Sequence, residues 1–425
     1  MSNLAAVEVD ITPPVGVEMA GYGARLKASQ GIHDALKAQI FMLALDEEKI
    51  IIVSMDLIAL QAQFVNRLRV SIQERIGIPE DHIMIACSHT HSGPQGFNLD
   101  NLIQDETPNE TLQEITCQKI AGGCAWAQNQ LQPAKLLFGH SMIDGLGLNR
   151  NDPQKGAADQ QVSVLRADDV NGNPIVVLFN YGCHATVMGA DNLLISADYP
   201  GAARQMLKEL FPQTVFMFTN SAAGDVSTRF TRRSASFSEV TRFGQIMAAG
   251  VLEAMNVAEP FDVSDINVKS IGVDLPLKKF ASKEETQKIL DEAREVLSRM
   301  QAENAPSGQL RKIITKIEGA EVQLRQIEYY QGQSSLPAEL QSYRIGLLHL
   351  VAVPGEPFSK TFLDIKESIK PLEAILIGYA NDYKGYFPES VPGLPATYED
   401  FVSPFSTQAA LNIKEAAIKI IEESK

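Results

Sequence analysis

Basic residues are scarce in this sequence: 37 Lys and Arg stand against 52 Asp and Glu, a net charge of −15, with no long basic run. A surface of that sign repels phosphate backbones and anionic headgroups, which argues against nucleic acid and anionic membrane surfaces as partners. No stretch supplies the ~20 apolar residues needed to cross a bilayer; the nearest, 50–60, is interrupted by Asp56. The first ten residues lack the basic-then-apolar order of a signal peptide. Only four cysteines occur. Cys117 and Cys124 lie about 10 Å apart along a helix-like stretch, too far for a disulfide. Cys87 and Cys183 each stand near histidines, and reduced thiols suit them best, so the expected compartment is the cytoplasm. A G-x-S-x-G elbow is also missing at Ser227, which lowers an α/β-hydrolase reading.

What is present suffices for a globular core, at 45% hydrophobic and 21% charged over 425 residues, a length that fits several domains or one large domain with insertions. Apolar runs at 41–45 and 50–55 flank an acidic turn, and 162–165 and 175–179 flank Asn171-Gly172; both read as hairpins. Helical patterns cover 61–76, 110–131, 202–210, 239–255 and 407–422, and strand-like runs recur at 83–86, 215–218, 343–353 and 374–379. The expected fold is α/β, with mixed sheets covered by helices. Ser282 and Glu285 match a capping box. Ile289, Ala293, Val296 and Met300, then Ile313, Ile317, Ala320, Leu324 and Ile327, recur at helical spacing. This predicts an inserted helical hairpin over 280–332 that packs on itself or on a partner subunit, making a homo-oligomer.

Chemistry-bearing residues cluster just past the strand-like runs. His89 and His91 follow 83–86, and on extended backbone residues two apart share a face. Neutral imidazoles so placed suit a metal, although an H-x-H also occurs as ordinary polar residues. His184 leaves 175–179 in the same way. Ser227 follows 215–218 and reads as a nucleophile, an oxyanion donor, or a turn serine bonding its own backbone. Arg229, Arg232 and Arg233 read as holders of an anionic group or as a solvated loop. Glu356, in Pro354-Gly-Glu356, reads as a ligand, a general base or a solvent-facing turn residue. The bend Met19-Ala-Gly-Tyr-Gly23 permits close backbone approach, with an ordinary loop as the plainer reading. In layered α/β proteins such strand ends gather in one crevice. His89, His184, Glu356 and Tyr386 would then form a zinc site with room for water, able to polarise an amide carbonyl and to lower a water's pKa toward ~7. A (β/α)₈ metal-dependent hydrolase also places H-x-H at a strand end, and a non-catalytic zinc- or ligand-binding protein would keep the pocket without turnover.

Seven segments together resemble the neutral/alkaline non-lysosomal ceramidase family, specifically its N-terminal catalytic domain. They are Met19-Ala-Gly-Tyr-Gly23, Ser88-His-Thr-His-Ser-Gly-Pro94, Asn149-Arg150, Cys183-His-Ala-Thr186, Gly224-Asp-Val-Ser227, Pro354-Gly-Glu356 and Asn381-Asp-Tyr-Lys-Gly-Tyr386. The resemblance implies that His89, His184, Glu356 and Tyr386 hold zinc, and that Ser227 takes the place of an essential serine. It also implies that His91 and Arg150 line the site, with His91 bonding a developing oxyanion. Where the family has Pro-Asn after Gly-Asp-Val-Ser, this chain has Thr228-Arg229. The family's immunoglobulin-like domain is missing from 1–425, which is expected to be one catalytic domain. Ceramidases are typically secreted or membrane-associated, which this sequence does not signal. The expected activity is therefore zinc-dependent hydrolysis of a small N-acyl amide, with Glu356 or a neighbour accepting the proton of the attacking water.

Overall fold

The computed structural model describes residues 2–97, 109–389 and 397–424. Two five-stranded sheets lie face to face. The first runs Ile83–Cys87, Glu48–Met55, Lys37–Leu45, Asn3–Asp10, Gln132–Pro133, and the second Val215–Asn220, Pro174–Tyr181, Gln161–Asp168, Lys135–Met142, Glu259–Pro260. A four-stranded sheet of Ile266–Pro276, Ser335–Ile345, Leu348–Ala352 and Glu373–Ile377 abuts both. The alternation of side chains across a strand explains the layering. In Lys37–Leu45, Phe41 and Leu43 point into a core shared with Leu178, Met217, Tyr343 and Ile375 of the other sheets. Ile40 and Met42 point the other way, against helices Ala62–Ile76 and Glu110–Gln128. Both faces being covered, the strand reads as one continuous apolar run.

The outer face of the second sheet packs against helices Asp198–Leu210 and Phe237–Val257, and the third sheet against Ser359–Ser368 and Gln408–Glu422. Helices therefore cover mixed sheets, as expected. Both predicted hairpins form: Lys37–Leu45 pairs with Glu48–Met55, and Gln161–Asp168 with Pro174–Tyr181 through Gly172 at φ +84°. The sheets are open, with antiparallel as well as parallel neighbours, which overturns the (β/α)₈ alternative. The stretch 343–353 is two strands rather than one, because Gly346, at φ +57°, turns the chain between Ser335–Ile345 and Leu348–Ala352. All four cysteines are buried free thiols. Among the described residues no helix is long and apolar enough to cross a membrane.

Three parallel pairs set up the site. Ile83–Cys87 lies parallel to Glu48–Met55, Val215–Asn220 to Pro174–Tyr181, and Glu373–Ile377 to Leu348–Ala352. Hydrogen bonds then stitch their carboxyl ends together. Cys87 N donates to Tyr379 O at 3.1 Å, Gly378 N to Asn220 O at 2.9 Å, and Asn220 Nδ2 to Ser88 O and Cys183 O at 3.3 Å each.

Helices Lys283–Ala302 and Ser307–Tyr329 pack on each other, and both halves of the Ser282–Glu285 capping box are made. Leu290, Ala293 and Ala320 are buried between them, while Ile289 is 38% exposed and off the stripe. The second helix also packs on Tyr398–Val402, with Val322 against Tyr386 and Gln326 Nε2 donating to Val402 O at 2.6 Å. Sequence periodicity assigned this stripe to packing alone; Thr315 and Val322, off the stripe on the same helix, face the candidate site.

Candidate metal centre

Each histidine at the carboxyl ends of these strands is held by a backbone carbonyl from a different loop. His89 sits at φ +63°, which an L-residue adopts only when its surroundings enforce it. Its Nδ1 lies 2.7 Å from Ile58 O. His91 Nδ1 lies 2.9 Å from Gly21 O, and His184 Nδ1 2.6 Å from Ala223 O and 3.1 Å from Val226 O. A carbonyl oxygen only accepts, so each Nδ1 carries the proton and each Nε2 presents a lone pair. Those lone pairs converge. One nitrogen from each of the three rings falls within a 4.8 Å span, and His89 Nε2 and His91 Nε2 are 3.1 Å apart.

Burial holds His89 at about 4 and His184 at about 3, and keeps His91 well below the usual imidazole value. The rings are therefore neutral at physiological pH and available as ligands. His184 Nε2 is buried with no hydrogen-bond partner, an orphan that a cation would satisfy. The donor set of imidazole nitrogens with one carboxylate fits zinc.

Glu356 completes that set. Its Oε2 lies 3.2 Å from His184 Nε2 and 3.6 Å from His89 Nε2. Tyr379 OH donates to the same oxygen at 3.1 Å, and Tyr383 OH donates to Oε1. Burial, reinforced by Glu356, pushes both phenols well above their usual range, so they stay protonated and donate. The two-residue parallel ladder pairing Glu356 with Tyr386 brings that tyrosine alongside. The Tyr386 ring stacks on His184 with centroids 6.4 Å apart and lies under the Arg150 guanidinium at 5.5 Å.

Arg150 is bound at 2.5 Å by Glu399 and donates to Gly224 O at 2.9 Å. Burial alone would raise Glu399, but the Arg150 charge together with hydrogen bonds from its own backbone N–H, Thr397 and Asn151 outweighs it, holding the carboxyl below its usual range. Ser227 follows Asp225, which accepts from Asn149 Nδ2 at 2.6 Å and Ser359 N at 2.8 Å. The Ser227 Oγ caps the short turn Thr228–Phe230 by accepting from Arg229 N at 3.1 Å. The backbone-bonded turn serine foreseen as the plainer reading is thus present, and the hydroxyl still lines the site.

His89, His91, Arg150, His184, Ser227, Glu356 and Tyr386 all line one cavity of about 220 Å³. Thr315, of the helix Ser307–Tyr329, lines it as well. An outer cleft of about 820 Å³ shares Gly21, Tyr22, Gly23, Arg229, Arg232 and Tyr398 with the inner cavity. The plainer reading of the glycine bend fails at Gly21: its φ is +100°, and a Cβ there would lie 2.5 Å from His91 Nδ1. Sequence reasoning missed Tyr379, Tyr383 and Glu399. The two tyrosines precede Tyr386 at short helical-like spacing just beyond a strand, and Glu399 lies inside a Thr397–Asp400 capping box, both signals present in the sequence.

Residues 4–242 match the family described as neutral/alkaline non-lysosomal ceramidase, N-terminal. Neutral ceramidase A of Dictyostelium discoideum is 28% identical over 249 residues, 51% of this chain and 34% of that protein. The neutral ceramidase of Pseudomonas aeruginosa is 30% identical over 214 residues, 46% of this chain and 32% of that protein. The matched stretch thus spans about a third of these relatives. A crystal structure of neutral ceramidase from Pseudomonas aeruginosa superposes with a TM-score of 0.78 at 21% identity, covering 99% of this chain and 75% of that one, so the fold is shared. The cytoplasmic expectation is overturned by these relatives, which are ceramidases of the secreted or membrane-associated kind. It rested on few cysteines and a missing leader signature, and neither feature decides a compartment. With 239 consecutive positions matched, from 4 to 242, this chain belongs to the neutral/alkaline non-lysosomal ceramidase family.

Proposed function

We propose that this chain is a zinc-dependent amidase acting on a small N-acyl compound. The observation that carries the proposal is the convergence of three proton-free imidazole nitrogens and the Glu356 carboxylate at the floor of a cavity of about 220 Å³. His89, His184 and Glu356, with Tyr386 alongside, would hold the ion. When bound, zinc acts as a Lewis acid toward a carbonyl and lowers the pKa of a water toward ~7.

The protein's own groups have separable tasks. Backbone carbonyls of Ile58, Gly21 and Ala223 hold the three rings so that only Nε2 faces inward. Both Glu356 oxygens already accept from phenols, which suits the carboxylate to holding a cation rather than taking a proton. His91 Nε2 is the better proton acceptor. In its neutral form it cannot donate to an oxyanion; once protonated, the same Nε2–H points at the developing charge and then at the leaving nitrogen. Ser227 uses an oxygen lone pair on Arg229 N, which leaves its O–H to donate to the substrate carbonyl. Arg150, neutralised by Glu399, fixes the Tyr386 ring. The roof formed by Ser307–Tyr329 limits the chamber and the water within it.

Release of primary amine from a panel of N-acyl amines and N-acyl amino acids tests the proposal, run with and without chelator. Turnover that disappears with chelation and in His89→Ala is the expected result. Turnover unaffected by both would refute the scheme.

A further inference from the structure

Two arginines stand where the inner chamber opens into the outer cleft. Arg229 and Arg232 line both spaces, in a molecule whose net charge is −15. Arg232 is held rigidly. Its Nη1 donates to Thr186 O at 2.6 Å and to Val187 O at 2.7 Å, two and three residues beyond the candidate ligand His184. A guanidinium has five N–H donors in a planar fork, and both of these bonds come from one nitrogen. The Nε and Nη2 edge is left for the cavity, and among the described residues no carboxylate forms an ion pair with Arg232. Arg25 and Lys27 add positive charge along the cleft, against Glu318 and Glu321 on the roofing helix.

A neutral two-chain amide would lay alkyl surface over the Arg232 guanidinium and give its remaining N–H groups nothing to bond. A compact anion would satisfy the fork bidentately. The tether to Thr186 and Val187, just past His184, keeps the fork on the cavity that His184 also lines, which favours an acid group close to the scissile nitrogen over one at the far end of an acyl chain. We infer that Arg232, assisted by Arg229, forms an anion subsite, and that the substrate class is an N-acyl amino acid whose α-carboxylate sits there. The inference rests on the amidase reading for the turnover it describes, and on the arginines alone for binding.

The test compares N-octanoylglycine with its methyl ester, using the full chain. Calorimetric binding is measured on the metal-free protein and kcat/KM on the zinc-loaded one. The carboxylate is expected to be favoured over the ester by about tenfold or more, as a charge-assisted pair provides. In Arg232→Gln that ratio should fall by about tenfold or more, with partial recovery in Arg232→Lys and an intermediate fall in Arg229→Gln. The exposed Arg229 variant decides the matter if Arg232→Gln does not fold. A wild-type ratio near one overturns the inference. So does a loss in Arg232→Gln that strikes both compounds alike, which would make Arg232 only a tether for 186–187. Selective binding of the carboxylate without cleavage of either compound would sustain the subsite and bring down the amidase reading instead.

Discussion

His89 Nε2 and His91 Nε2 face each other at 3.1 Å with both ring protons committed to backbone carbonyls on the far side. Two lone pairs at that distance repel, and a cation taken up on His89 Nε2 would relieve the repulsion while leaving the His91 lone pair beside it as the proton acceptor. Zinc should therefore stabilise the metal-stripped protein by ~2.7 kcal/mol at a hundredfold excess over its Kd, and its thermal midpoint should rise with zinc concentration. Scanning calorimetry across a zinc series measures this. His184→Ala should remove most of the rise; a midpoint indifferent to zinc would leave the facing nitrogens unexplained.

The buried imidazoles also set a pH dependence. His89 titrates at about 4 and His184 at about 3 in the fold, against 6.5 for the ordinary group. Below 6.5 the unfolded chain takes up protons that the fold refuses, so this contribution to stability is complete above 6.5. It drains away as pH falls through 4 and 3. NMR of the metal-free protein should show the two Cε1–H resonances unmoved between pH 8 and pH 5. Midpoints near 6.5 would mean that the rings are solvated.

Much of this was legible from residue order alone. The two hairpins, the mixed sheets and the strand exits at His89, His184 and Glu356 follow from local pattern, because short apolar runs and the polar turns that bound them act over a few residues. What was not legible is long-range. Glu399 lies 249 positions from the Arg150 it neutralises, and its own neighbourhood reads as a helix cap. Val322 roofs Tyr386 although its helix shows only a packing stripe, since periodicity says which face is buried and not what covers it. Gly346 breaks an apolar run that reads as one strand, a turn that hydrophobicity alone does not mark.

Glu399 is fully buried and Arg150 nearly so. Removing one charge leaves the other desolvated and unpaired, at a cost of ~3 kcal/mol. Urea denaturation of Glu399→Gln should show a loss of that order, with turnover reduced because the Tyr386 ring loses its fixed neighbour. Arg150→Met combined with Glu399→Gln should recover much of the stability and none of the turnover. Equal losses in the single and double variants would count against the pair.

Gly21→Ala probes the backbone that steers His91. The added methyl meets the ring at 2.5 Å on a backbone of φ +100°, so the ring or the loop must give way. The expected cost is ~1 kcal/mol or more in stability, with a disproportionate fall in kcat/KM, on the order of 100-fold for a displaced proton acceptor. Steady-state kinetics beside thermal melts separates the two effects. A variant that melts lower yet turns over normally would remove His91 from the reaction.

The carbonyls that aim the rings lie 31, 70 and 39 positions from the histidines they hold, in the pairs Ile58–His89, Gly21–His91 and Ala223–His184. Nothing local pre-forms the ligand set. Ion capture should consequently be a late event in refolding, arriving only when distant loops have docked, and fragments ending before Glu356 should bind zinc poorly however helical they look. Uptake of the ion would then serve as a clock for completion of the tertiary structure.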